Sequence, residues 1–160
     1  MLTRRPITDA DLPFLAEVYA STRAEEMANS GWTPEAILAF LMEQFHLQHH
    51  HYQTHYRGTA FELLLVDGVP AGRLYVARWS QELRIVDIAL LPIHQGRGYG
   101  RQLMMELLDE ADRTGKCLSL HVEQNNRVLA WYRRLGFREV DTHGVYYRME
   151  RQPRVAEGVP

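Results

Sequence analysis

Cysteine is almost missing from this 160-residue chain: Cys117 stands alone. No intramolecular disulfide can form, which excludes the disulfide-stapled secreted scaffolds, and no zinc site can be built on cysteines. No apolar stretch approaches the ~20 residues of a membrane span, so a soluble cytoplasmic protein is the expectation. Charge of one sign is not in excess either. Eighteen basic residues face twenty acidic ones for a net charge of −2, which argues against a general nucleic-acid binder. Lysine is the second near-absence: Lys116 is the only one, and the remaining basic residues are arginines. Glycine- or serine-rich linkers and internal repeats are also lacking. What remains is an average globular composition, 46% hydrophobic and 24% charged, long enough to bury roughly 70% of its unfolded surface in one core.

Periodicity orders that composition. Leu2 to Pro6 reads as a short strand, and Thr8-Asp9-Ala10-Asp11 as a helix start, with a helix to about Ser21. Thr33-Pro34-Glu35 repeats the start signal, and Ile37, Phe40, Leu41 and Phe45 recur at helical spacing, giving a second helix over about 34 to 55. Ala60 to Val66, the Asp67-Gly68 turn, Val69 to Ala77 and Gln81 to Leu91 read as an antiparallel meander. Leu103, Met104, Leu107, Leu108 and Ala111 form one helical stripe after Tyr99, ended by Gly115. Cys117 to Glu123 alternates apolar and polar residues like a strand with one buried face. Val128, Trp131, Tyr132 and Leu135 mark a last helix, and Phe137 to Val140 with Val145 to Met149 a closing hairpin. The predicted order β-α-α-β-β-β-α-β-α-β-β gives one mixed α/β domain over residues 1 to 151, with a loose tail from 152 to 160.

The richest segment lies between the third meander strand and the next helix: Pro92, Gln95-Gly96-Arg97-Gly98-Tyr99-Gly100-Arg101. Glycines let backbone N–H groups converge on a ligand, and a helix start adds its positive dipole end, which together suit a pyrophosphate. No lysine stands in the loop, so it is not a P-loop, and glycine at every second position is not the Gly-x-Gly-x-x-Gly of a dinucleotide fold. An ordinary strand-to-helix turn is the alternative reading.

Gln95-x-x-Gly98-x-Gly100 after Ile88-Ala89-Leu90 resembles the acetyl-CoA signature of the GNAT N-acetyltransferase superfamily. Asn125-Asn126 through Trp131-Tyr132 to Leu135-Gly136-Phe137 resembles its second signature. The likeness covers about residues 2 to 150; within the superfamily it is only weakly similar to a bacterial and phage-associated branch, which implies no acceptor. It implies a GNAT fold and acetyl-CoA as co-substrate, with no metal. It also implies that Leu90, Leu91 and Pro92 run beside the pantetheine arm, with donor amides from Leu90 and Leu91, and that Gln95, Gly96, Arg97, Gly98, Tyr99, Gly100 and Arg101 hold the pyrophosphate. The family asparagine corresponds to Asn125 or Asn126.

By the same resemblance Tyr132 stands where the family places its general acid. Amine attack on a thioester releases a thiolate, with a thiol pKa near ~8.5, that a phenol within reach can protonate. On the residues alone Tyr132 also reads as a core residue of its helix stripe. Arg84 occupies the place where a glutamate base would first be sought. His121, Asp87, Glu82 and Glu123 are the local candidates, His121 foremost because a neutral imidazole accepts a proton near pH 7, and a site without a dedicated base is the alternative. The family's first two helices shape the acceptor pocket, which points to Glu25, Glu26, Trp32, Tyr52 and Tyr56 as contacts for a cationic amine of a small molecule or peptide. His46, His49, His50, His51 and His55 are spaced like metal ligands in pairs but lack an acidic third ligand, so a solvated helix end is expected. The expected activity is direct acetyl transfer to a primary amine, since Cys117 lies away from the loop. A non-catalytic acyl-CoA-binding module, a longer-acyl transferase and a homodimeric assembly stay open.

Overall fold

The structure, a computed structural model, describes residues 1–154. Its elements are β1 (Leu2–Pro6), α1 (Leu12–Ala28), α2 (Pro34–His55), β2 (Thr59–Val66), β3 (Val69–Arg78) and β4 (Glu82–Leu90), then α3 (Tyr99–Thr114), β5 (Cys117–Glu123), α4 (Leu129–Arg134), β6 (Arg138–His143) and β7 (Tyr146–Arg151). This is the predicted order, and the strands form one seven-stranded mixed sheet in the sequence β1-β2-β3-β4-β5-β7-β6. The described residues divide into two compact units, one of 1–75 with 87–99 and one of 76–86 with 100–154. No described helix is long and apolar enough to cross a membrane.

In the first unit β1 pairs antiparallel with β2, from Leu2 opposite Val66 to Pro6 opposite Glu62. A 3-10 turn at Asp9–Asp11 precedes α1. There the Asp11 carboxylate takes two bonds from the Arg5 guanidinium, each 2.9 Å, and the N–H of Thr8 at 2.8 Å. Helix α1 runs past the expected Ser21 to Ala28. The added turns carry an Arg23–Glu26 ion pair at 2.7 Å and bury Met27, which the short window around Ser21 did not reveal. Helix α2 begins as its sequence dictates, the Thr33 hydroxyl accepting from the Ala36 N–H at 3.2 Å with Pro34 at the first position. The core of this unit is Leu15, Tyr19, Leu41, Phe45 and Leu63 with their neighbours. Each such side chain, fully buried, contributes about 1.5–3 kcal/mol.

In the second unit β4 pairs parallel with β5 over Glu82–Ile85, opposite Cys117–Leu120. β7 lies antiparallel on β5's other edge, and β6 on β7 with an irregularity between Glu139 and Asp141. The predicted stripe of α3, Leu103 to Ala111, is buried. One expectation fails in β5: Ser119, placed on an exposed face by alternation, is fully buried. Its hydroxyl bonds to the Arg84 Nε at 2.6 Å and to the Glu82 carboxylate. Both partners come from the neighbouring strand β4, and a polar group buried at the centre of a sheet must find such partners. The expected loose tail begins at 152. Within it the main-chain N–H of Arg154 donates to Asp112 at 2.8 Å, and 155 to 160 lie outside the described residues.

Candidate active site

β4 ends at Leu90, Pro92–His94 form one 3-10 turn, and α3 begins at Tyr99. Two contacts pin this turn within the first unit. The Leu91 N–H donates to the Ala71 carbonyl at 2.9 Å, and the Gln95 side-chain amide donates to the Leu90 carbonyl at 2.9 Å. The first contact corrects an expectation: the Leu91 amide is already committed, so of the two foreseen donor amides only that of Leu90 stays a candidate. The second gives Gln95 a positioning role, because its donor holds the strand end rather than pointing outward.

Beyond Gln95, Gly96 and Gly98 adopt φ of +74° and +85°, a left-handed backbone that other residues adopt only at a cost. Left-handed residues alternating with ordinary ones turn successive N–H groups to one side, immediately before the free N–H groups of α3. Gly100 differs. It is helical, and a Cβ on it would meet nothing within 4 Å, so neither φ nor internal packing accounts for its glycine. Close approach from outside is the remaining physical reason for a bare Cα at a helix start. Arg97 and Arg101 are exposed and meet no carboxylate among the described residues.

The sequence reading missed Gly72. A Cβ there would lie 2.1 Å from the Ala89 carbonyl oxygen, so only glycine lets β4's backbone lean into β3 just before the loop. A lone glycine inside a strand run was the available signal.

In the second unit Tyr132 lies on α4 with its ring against Trp131 and Phe137, at 5.7 and 5.5 Å between centroids. Burial pushes its phenol above the usual tyrosine range. His121 is exposed on β5, opposite Arg148 and 6.3 Å from the His143 ring. Desolvation first, then Arg84, His143 and Arg148, hold its imidazole below the ordinary histidine value, so it is neutral near pH 7. The Asn126 side-chain oxygen accepts the Val128 N–H at 3.0 Å and so starts the α4 turn, whereas Asn125 is exposed and forms no side-chain bond among the described residues. Glu82 is bound to Arg84 at 2.8 Å and to Ser119. In the first unit Asp87 receives both Arg73, at 2.8 Å, and the Tyr52 hydroxyl, at 3.0 Å. Both carboxylates are engaged in ion pairs, which leaves them poorly suited as bases.

The five acceptor-side residues separate into two groups. Tyr52 and Tyr56 pack edge to face at 5.9 Å near the end of α2, and the Tyr52 hydroxyl is occupied by Asp87. Trp32 precedes the start of the same helix and sits edge-on to Phe40 at 5.3 Å, and Phe40 is twelve helical residues before Tyr52, ~18 Å at 1.5 Å per residue. Glu26 pairs with Arg23, and Glu25 is exposed. Helical spacing alone does not tell which end of a helix faces a pocket. Of the histidines, His51 and His55 stack at 4.3 Å. His46 and His49 lie against Phe45, and His49 borders a cavity of about 300 Å³ with Asp9 and Gln53.

The fold is found in solved structures over nearly its whole length. The PaiA N-acetyltransferase of Thermoplasma acidophilum, in complex with coenzyme A, superposes with a TM-score of 0.68 at 20% identity, covering 95% of this chain and 99% of that one. The ribosomal-protein-S18-alanine N-acetyltransferase of Escherichia coli gives 0.62 at 22% identity over 100% and 99%. In sequence, the N-alpha-acetyltransferase RimI of Mycobacterium tuberculosis is 42% identical over 69 residues, 42% of each chain. The ribosomal protein bS18-alanine N-acetyltransferase of Haemophilus influenzae is 36% identical over 67 residues, 41% of this chain and 46% of that one. The matched stretch thus spans less than half the length of those two relatives. A model of the acetyltransferase (GNAT) family, however, matches residues 22–137, a span that contains the glycine loop, α3 and Tyr132, and on that match the chain belongs to the acetyltransferase (GNAT) family.

Proposed function

We infer that the protein is an acetyl-CoA-dependent N-acetyltransferase, moving an acetyl group directly onto a primary amine of a small molecule or protein. The observation that carries this reading is the loop from Gln95 to Arg101: two left-handed glycines, a third with no internal reason to be glycine, a helix N-terminus and two uncompensated arginines. These residues suit the pyrophosphate of a CoA ester, whose thioester supplies an activated acyl group. Leu90, Pro92 and Asn125 or Asn126 are proposed to line its pantetheine arm. Tyr132, a half-buried phenol on α4, is proposed to give its proton to the departing sulfur. His121, kept neutral, is the proposed acceptor of the amine's proton. One curated relative is named an N-alpha-acetyltransferase and the other a ribosomal protein bS18-alanine N-acetyltransferase, which supports a peptide N-terminus as the first acceptor to test.

The test couples binding to turnover. Calorimetry with acetyl-CoA should give saturable binding that Gly98→Glu weakens at least tenfold. A panel of peptides, amines and amino-sugars should release CoA with at least one acceptor. On that acceptor Tyr132→Phe should lower kcat at least tenfold with acetyl-CoA affinity unchanged. Absent binding, or binding indifferent to Gly98→Glu, removes the cofactor assignment. Binding without turnover on any acceptor favours a sensing module, and a wild-type rate in Tyr132→Phe removes its acid role.

A further inference from the structure

A cavity of about 550 Å³ lies wholly in the second unit, where α4 ends and β6 begins. Its position separates it from the glycine loop. Helix α3 starts at Tyr99 beside that loop, and Asp112, which anchors the cavity's arginines, is thirteen residues further on, ~20 Å along the helix at 1.5 Å per residue.

The lining is cationic on an apolar floor. Arg133, Arg138, Arg151 and Arg154 border it with a single acid, Glu150. The pairings account for part of this charge. Arg133 is bound to Glu139 at 3.0 Å, Glu150 to Arg148 at 2.7 Å, and Arg151 to both oxygens of Asp112 at 2.7 and 3.2 Å. Two guanidinium charges are left over. Arg138 stands across the strand pair from Glu150 without a hydrogen bond or ion pair to it among the described residues, and the Arg154 guanidinium, in the field of the Asp112 carboxylate that binds Arg151, has a 3.4 Å contact with the Leu135 carbonyl. The Arg154 Nη2 lies over Gly136, whose φ of +100° calls for glycine, at 2.6 Å from where a Cβ would stand. Carbonyls at a helix end would repel an anion, but that of Leu135 is covered by Arg154 and by the Arg151 Nε at 3.2 Å. The floor is Phe137, Val140 and Pro153, with Val140 45% exposed.

We propose that this cavity is a second ligand site, separate from the glycine loop, for a small metabolite carrying a phosphate on an aromatic or aliphatic body. Planar guanidinium forks match a phosphate's oxygens in pairs. The volume is that of a small-molecule pocket, and the apolar floor would cover the body.

Phenyl phosphate is the probe, followed by amide chemical shifts of the full-length protein with and without saturating CoA. Resonances of 133 to 154 should move on titration in both cases. Arg138→Ala combined with Arg154→Met should weaken binding at least tenfold, and Gly98→Glu should leave it unchanged; Arg138→Ala alone, at an exposed position, reports should the double variant misfold. Four results overturn the proposal: no shifts in this segment, shifts abolished by CoA, equal affinity for neutral phenol, or tighter binding of a tetraglutamate peptide.

Discussion

Each unit holds one buried arginine facing an aspartate, and the two are satisfied differently. Arg151, 4% exposed, uses its whole guanidinium: both terminal nitrogens on Asp112 and Nε on the Leu135 carbonyl. Arg73, 3% exposed, directs one nitrogen at both Gln48 and Asp87 and leaves its Nε without a partner. The Tyr75 hydroxyl beside it is buried with no well-aligned bond. Arg151 joins α3, α4 and β7 and reads as structural. Arg73 stands on β3 next to Gly72, in a cluster whose polar groups are only part-paired, and such a cluster is less favourable to the fold than a complete one.

Breaking the complete pair should have the largest effect. Asp112→Ala leaves the Arg151 charge buried without its carboxylate and is expected to cost about 3–5 kcal/mol in urea unfolding; a loss under about 1 kcal/mol would remove the distinction between the two sites. A third pair supplies the half-exposed reference. Arg5 holds the Asp11 carboxyl down at about 2, through hydrogen bonding first. Because the folded value lies below the unfolded one, the stabilisation is complete above about pH 4 and is lost as pH falls towards 2. It amounts to about 2 kcal/mol. Stability followed by denaturant titration over that range should fall in the wild type and flatten in Asp11→Asn. Arg73→Met comes next, at about 1–2 kcal/mol, since Asp87 keeps the Tyr52 hydroxyl and an unpaired Nε disappears. Smallest is Tyr75→Phe, expected within about 0.5 kcal/mol of wild type or slightly stabilising, because the hydroxyl has no aligned partner to lose. A cost above about 1.5 kcal/mol would show that the Arg73 cluster is better satisfied than its geometry indicates.

Much of the fold was legible because its signals are local. Thr33-Pro34 sets the start of α2, the apolar stripe of α3 sets its buried face, and Asp67-Gly68 places the β2–β3 turn, all within a few residues. The glycine loop was legible for the same reason. What escaped depends on residues far apart in the chain. Ser119 looked exposed because alternation assumes one wet face, and Gly72 looked like a weak strand residue because the carbonyl pressing on it belongs to Ala89. The Leu91 amide looked free because its acceptor is Ala71. The acceptor-side residues were grouped by helix alone, and Trp32 precedes the start of a helix of 22 residues while Tyr52 lies near its end.

The sequence by itself therefore determined the order of elements, the loop whose glycines and helix start suit an anion, and the family to which those motifs point. Backbone conformation and periodicity follow from neighbouring residues, so these could be read along the chain. Only the tertiary structure decided which polar groups are already occupied. It committed Gln95, Leu91, Asp87 and Glu82 to internal partners and gathered the arginines at the end of α4. A hydrogen bond or ion pair between distant residues exists only once folding has closed the loop between them.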